Sequence, residues 1–150
     1  MPRYEYEASA ATAAPAETVW DILVDSLRWP EWTGLPRPTM DREGDPPPFG
    51  LGAIRAFHLG PVTVREEVEL WEPPHRYGYT VSGLGLRNYH AVVTIETGTG
   101  ATVVTWRGGF DGSSLPGASR PVLWGIRTGI GRITRRLARH AETVARPAGS

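Results

Sequence analysis

Residues 53–82 read Ala53-Ile-Arg-Ala-Phe-His-Leu-Gly-Pro-Val-Thr-Val-Arg-Glu-Glu-Val-Glu-Leu-Trp-Glu-Pro-Pro-His-Arg-Tyr-Gly-Tyr-Thr-Val-Ser82. Gly60-Pro61 and Pro73-Pro74 divide the stretch into three runs in which apolar and polar residues alternate. That period belongs to strands with one wet face, and short connections make successive strands antiparallel neighbours. Regular hairpins then set the register. A turn at Gly60-Pro61 places Leu59 opposite Val62, Phe57 opposite Val64 and Arg55 opposite Glu66, all on one face. A turn near Pro73-Pro74 places Leu70 beside Tyr77 and Val68 beside Tyr79 on that same face.

Towards the C-terminus the pattern continues. Glycines at 83–85 and 98–100 bound two more runs, so strands are expected over residues 53–59, 62–71, 77–82, 88–96 and 101–110. The register carries Val81 to Tyr89, Tyr79 to Ala91 and Tyr77 to Val93, then Val93 to Val104 and Ala91 to Trp106. The opposite face collects Thr63, Arg65, Glu67, Glu69, Thr80, Ser82, Thr94, Glu96 and Arg107, as a solvated side requires. After residue 110 the period changes. Val122, Ile126, Ile130, Ile133, Leu137, Ala141 and Val144 recur every three or four residues and predict one amphipathic helix. Gly125, Gly129 and Gly131 interrupt it, each costing about 1 kcal/mol against alanine. Gly125 and Gly129 lie one turn apart and admit close approach of a ligand or of the sheet; a kink, or a helix that starts near Ile126, accounts for them equally well. Residues 145–150 read as a frayed tail.

Towards the N-terminus, residues 3–12 alternate as a first strand. Ala14-Pro-Ala-Glu17 opens a short helix bearing Val19, Trp20, Leu23 and Val24, with Thr12 as its cap. Residues 27–34 make a second helical turn broken at Pro30, and the Pro/Gly-rich passage 36–52 is loop or edge strand. The architecture expected is a single α+β domain over residues 1–150, with a core from about 3 to 146.

Composition narrows the chemistry. With no cysteine, thiol nucleophiles, disulfides and thiolate metal sites are excluded, and the four histidines show no metal-ligand spacing, so no metal is expected. No run approaches the ~18 apolar residues of a membrane span, and the start lacks the pattern of a secretory signal, which points to the cytoplasm. The net charge of zero hides an asymmetry. All sixteen basic residues are arginine, and residues 120–150 hold seven of them against Glu142 alone. Arg132, Arg135, Arg136 and Arg139 read as the solvated face of the last helix, and no aromatic interleaving supports nucleic-acid binding.

The residues that break the apolar pattern on the inner face are the informative ones, because a buried charge persists only when paired. Arg55 and Glu66 are such residues, and the register sets them opposite each other, either as a structural pair within an aromatic core or as groups that face a ligand. Around them stand Tyr77, Tyr79, Tyr89 and Trp106, whose polar atoms call for partners, water or a polar cavity.

Ala14-Pro-Ala-Glu-Thr-Val-Trp20, Arg28-Trp-Pro-Glu-Trp32, Gly50-Leu-Gly-Ala53, Val64-Arg-Glu-Glu-Val68, Trp71-Glu-Pro-Pro-His-Arg-Tyr-Gly-Tyr79 and Gly100-Ala-Thr-Val-Val-Thr-Trp106 together resemble the polyketide cyclase/dehydrase and lipid-transport family of the START/Bet v 1-like (SRPBCC) superfamily. The resemblance spans about residues 5 to 145. It implies a helix-grip fold: a seven-stranded antiparallel sheet curved around a long C-terminal helix, two short helices after the first strand, and an internal cavity for a hydrophobic or aromatic small molecule. Chemistry follows less directly, since one fold carries many functions.

The leading expectation is a cyclase- or dehydratase-like enzyme acting by acid/base catalysis, without a cofactor, on a polyketide-type intermediate. Glu66 would be base or acid, Arg55 would hold its charge or clamp an enolate, and Tyr79 and Tyr89 would donate to an oxyanion. Phe57, Val68, Tyr77, Val81, Ala91, Trp106, Phe110, Gly129 and Ile133 would line the ligand. The other reading is a non-catalytic carrier in which Arg55 and Glu66 anchor one polar end, as monomer or homodimer. His58 and His90 fall on the outer face unless a one-residue bulge turns one inward. Arg87 and Asp111, near the mouth, either recognise a carboxylate or pair with each other. Trp29 and Trp32 read as packing residues that close one end of the cavity, and with Trp124 as alternative contacts for a protein partner.

Overall fold

Strand and helix periods along the chain resolve into thirteen elements in a computed structural model that describes residues 3–145. In order they are β1 (Tyr4–Thr12), α1 (Ala16–Val24), a 3-10 turn (Ser26–Arg28), α2 (Pro30–Thr33), β2 (Thr39–Arg42), β3 (Ile54–Leu59), β4 (Val62–Glu72), β5 (Arg76–Ser82), β6 (Leu86–Arg87), β7 (Tyr89–Thr97), β8 (Thr102–Phe110), β9 (Gly112–Ser113) and α3 (Ser119–Ala145). Seven strands form one antiparallel sheet in the order β1-β8-β7-β5-β4-β3-β2, and β6 pairs with β9 alone. The Pro/Gly-rich passage supplies the short edge strand β2, whose four residues include no proline. Residue 146 and those after it in the expected tail lie outside the described residues.

The β3–β4 register is the one the sequence predicts, with Arg55 opposite Glu66 and Phe57 opposite Val64. So is the β5–β7 register, with Val81 opposite Tyr89 and Tyr79 opposite Ala91. Two registers differ. Between β4 and β5 the pairing shifts after Val68, so Leu70 faces Gly78 and Trp71, not Leu70, faces Tyr77. Glu69 is the extra residue of a bulge, which re-aims the strand beyond it. Between β7 and β8 the turn centres one residue later than expected, Gly98 N–H bonding to Ala101 O. Val93 therefore faces Trp106, Ile95 faces Val104 and Ala91 faces Gly108. Because the slip is an even number of residues, each side chain keeps its face.

Helix starts also differ from expectation in two places. Thr12 does not cap α1; its hydroxyl donates to Ala138 O and ties β1 to α3. Pro30 begins α2 rather than breaking a helix, the position where a missing N–H costs nothing. α3 starts at Ser119, well before Ile126, and Gly125 and Gly129 sit on its exposed side with open space where a Cβ would stand. Val144, the last member of the apolar stripe, is exposed.

The core lies on the concave side of the sheet. Val68, Tyr77, Tyr79, Ala91, Val93, Ile95, Val104, Trp106 and Phe110 are buried, and Val19, Trp20, Leu23, Trp29 and Trp32 close one end. α3 runs close along β1 and touches β8, held at its C-terminal half by Leu137, Ala138 and Ala141. Ile126, Ile130 and Ile133, nearer its start, are only partly buried against that core. No helix among the described residues is long and apolar enough to cross a membrane.

Candidate functional site

The β3 and β4 hairpin turns Arg55 and Glu66 together into the concave side. Arg55 Nε–H donates to Glu66 Oε1 at 2.8 Å, and Arg55 Nη2 stands 2.6 Å from the same oxygen without a second aligned hydrogen bond. Among the described residues no hydrogen bond falls on Glu66 Oε2. The two side chains differ in depth: Arg55 is 3% exposed and Glu66 13%. The carboxylate therefore stands at the margin of the core and the guanidinium inside it.

Aromatic rings surround that guanidinium. Its carbon lies 4.4 Å from the Trp29 ring centre, 5.3 Å from Tyr79 and 5.5 Å from Tyr77, and its Nη1 donates to the Tyr77 hydroxyl. Ring faces are electron-rich, so they replace part of the hydration that the cation has lost. Burial alone would lower the Arg55 pKa, but Tyr77 and Glu66 more than offset it and hold the group above the ordinary arginine value. Arg55 stays charged.

The other polar atoms of the inner face answer one another. The Tyr6 and Tyr89 hydroxyls share a hydrogen bond of 2.8 Å, and Trp106 Nε1–H donates to the Tyr79 hydroxyl at 3.1 Å. Room for Tyr6 comes from β8: a Cβ on Gly108 would fall 2.2 Å from the Tyr6 oxygen. Burial pushes the pKa of Tyr6, Tyr77, Tyr79 and Tyr89 up, and Arg55 only partly counters this at Tyr77. All four are neutral phenols near neutral pH, suited to donating a hydrogen bond rather than taking a proton.

Of the residues singled out from sequence, Arg55, Phe57, Val68, Tyr77, Tyr79, Tyr89, Ala91, Trp106 and Phe110 come together as buried neighbours, with Glu66 and Val81 half-buried beside them. Ile133 is half-buried on α3, whereas Gly129 is exposed and touches none of this group. Arg87 and Asp111 do not pair: Arg87 donates to Ser113 O, and Asp111 accepts from the Asn88 amide. His58 and His90 are exposed on the outer face, His90 beside Glu69 at 2.7 Å; the bulge falls in β4 and leaves them there.

Three residues of this cluster were not legible as part of it. Tyr6 joins through the β1–β8 pairing, which no hairpin register reaches. Trp29 lies over Arg55, where the sequence suggested packing at one end or a partner contact, and Trp71 turns inward because of the bulge, edge-on to Trp20 and Tyr77. A separate recess of about 910 Å³ lies mainly on the outer face around Glu7, His90, Thr94 and Arg107. Its charges are largely spent on each other, as in Arg107–Glu7 and Arg76–Glu72, so the inner cluster is the better candidate for chemistry.

A long helix packed on a seven-stranded antiparallel sheet, with an ion pair among aromatic rings inside, defines a helix-grip class of α+β domain. Within it the chain belongs to the family described as polyketide cyclase / dehydrase and lipid transport, whose model matches residues 3–144. An uncharacterised protein of Mycobacterium tuberculosis is 26% identical over 142 residues, which cover 91% of this chain and 81% of the relative. Among solved structures, XoxI of Bacillus cereus superposes with a TM-score of 0.75 at 15% identity, over 96% of this chain and 99% of that one. DynU16, from the dynemicin biosynthetic locus, superposes at 0.66 with 23% identity, over 96% of this chain and 49% of its own. CalU16 of Micromonospora echinospora does so at 0.62 with 14% identity, over 94% and 85%. At these identities the structural likeness speaks for the fold.

Proposed function

We propose that the protein is a cyclase- or dehydratase-like enzyme that holds a hydrophobic, polyketide-type intermediate between α3 and the sheet. The observation that carries this reading is the Arg55–Glu66 pair: a carboxylate at the margin of an aromatic core, fixed by a cation behind it, with one oxygen that takes no hydrogen bond from the described residues. Such a carboxylate can take a proton from the carbon next to a substrate carbonyl. The bonding pair left behind becomes an enolate, and attack by its carbon on a second carbonyl of the same chain closes a ring. The proton held by Glu66 returns to the alkoxide and restores the carboxylate; in a dehydration Glu66 takes a second proton from the same carbon and passes it to the hydroxyl, which leaves as water as the C=C bond forms. Neutral Tyr79 and Tyr89 are the phenols suited to donate to the developing oxyanion, with Tyr6 orienting Tyr89. The family and the fold shared with a biosynthetic-locus protein support a polyketide-related role.

A proton-transfer group contributes on the order of a hundredfold to ten-thousandfold in rate. Glu66→Gln should therefore lower kcat by that much while leaving substrate affinity within about threefold, because the amide oxygen still accepts from Arg55. Unchanged turnover in this variant would sink the assignment of Glu66.

The carrier reading has its own supporting observation: the buried hydroxyls and the indole N–H are already satisfied by one another, which leaves few groups free for chemistry. On that reading Glu66→Gln binds as the wild type does and neither turns anything over. Native mass spectrometry of protein from its own host, with identification of the retained compound, supplies the ligand for both assays.

A further inference from the structure

Five of the large apolar side chains that stand in solvent are found at one end of the molecule. They are Leu59 (41% exposed), Val62 (40%), Leu84 (40%), Leu115 (69%) and Trp124 (70%). Leu59 and Val62 flank the β3–β4 turn, and that turn lies at the end of the sheet where β5 finishes, Arg65 facing Ser82. The next residue, Gly83, is packed so closely on β4 that a Cβ would fall 2.1 Å from Thr63 O. The stretch from Gly83 to Arg87, which carries Leu84, is tied to the one entering α3 by the β6–β9 ladder and by Ser114 N–H to Gly85 O. Ser119 Oγ accepts from Ser113 N–H and brings the start of α3, hence Trp124, to the same pole. β1 begins here too, Tyr4 facing Phe110.

The charge at this pole is mostly positive. Residues 59–62, 83–88 and 112–131 contain no acidic residue and include Arg87, Arg120 and Arg127. Arg3, Arg120 and Arg127 gather with Tyr4, Leu123 and Trp124 around a recess of about 400 Å³. Asp111, at the edge, already accepts from Asn88.

We propose that this pole docks on an anionic lipid surface, with Trp124, Leu115, Leu84 and the β3–β4 turn entering the headgroup region and the arginines meeting lipid phosphates. The apolar residues sit on four separate segments and form a rim of single protruding side chains. A fluid interface receives such a rim without a matching socket, whereas a protein partner needs one. Tryptophan and arginine are the residues that settle at the boundary between headgroups and acyl chains, and basic clusters are drawn to anionic leaflets. The partly buried Ile126 and Ile130 follow Trp124 on α3 and pack against the core beside the same rim.

Co-sedimentation of the full chain with vesicles tests this. With phosphatidylcholine containing phosphatidylglycerol at low salt, the protein should pellet; with phosphatidylcholine alone it should stay largely in solution, and binding should fall as salt approaches about 1 M, where charges are screened within about 3 Å. The double variant Leu115→Ser/Trp124→Ser should weaken partition about tenfold or more. Val103→Ser, near the other end of β8, should leave it unchanged. Failure to pellet with anionic vesicles overturns the proposal, as does binding that ignores the double substitution. Binding to immobilised polyglutamate without binding to vesicles overturns it as well, and assigns the pole to an acidic protein.

Discussion

Arg55 is buried as deeply as the valines around it, yet it carries a charge. Its stability rests on four neighbours, Glu66, Tyr77, Tyr79 and Trp29, and removing it leaves a carboxylate at the core margin without its cation. Breaking a buried pair by losing one member costs about 3–5 kcal/mol, whereas replacing both by apolar residues of similar volume is near neutral. Arg55→Met should therefore lower the unfolding free energy in urea by that amount, and Arg55→Met/Glu66→Met should recover most of it. A double variant as unstable as the single one would mean that the two residues do not act as a unit. The pair was readable because Gly60-Pro61 fixes its own hairpin, a local event. Tyr6 and Trp29 were not, since each reaches the cluster from a segment distant in sequence and no alternation rule measures that approach.

At the scale of an element, α3 carries two glycines with no visible duty. Gly125 and Gly129 are exposed, and an added Cβ meets nothing within 4 Å at either. Alanine should raise helix stability by about 1 kcal/mol at each position, visible as a higher Tm in thermal denaturation. If a ligand lies against the helix there, Gly129→Ala should also weaken retention of that ligand, and the two readouts would move in opposite directions. A lower Tm for either variant would contradict the open surroundings seen here. The β4 bulge is the element's counterpart in the sheet. Its residue, Glu69, is as polar as its outward neighbours Glu67 and Arg65, so nothing in the alternation marks it; pairing with β5 alone reveals that Trp71 has changed sides.

For the whole molecule, the tyrosines tie stability to alkaline pH. Tyr6, Tyr77, Tyr79 and Tyr89 have folded pKa values raised above the unfolded value of about 10, with burial as the first cause. The unfolded chain then releases protons that the folded one keeps, so their contribution is complete below about pH 10 and is lost as pH rises beyond it, by about 1.4 kcal/mol per pH unit for each ionising phenol. Tyrosinate absorbance should show these four of the five tyrosines ionising together with the loss of near-ultraviolet circular dichroism. Reversible ionisation of any of these four in the folded protein would contradict this. By itself the amino-acid sequence determined the main strands, which neighbours pair as hairpins, the inner and outer faces up to the β4 bulge and the long helix, because period and turn chemistry act within a few residues. Only the tertiary structure decided that β1 closes onto β8, that Trp29 and Tyr6 complete the cluster around Arg55 and Glu66, and that the exposed apolar residues share one pole. Those outcomes depend on how the sheet twists and on which distant segments it brings together, and a period along the chain does not record them.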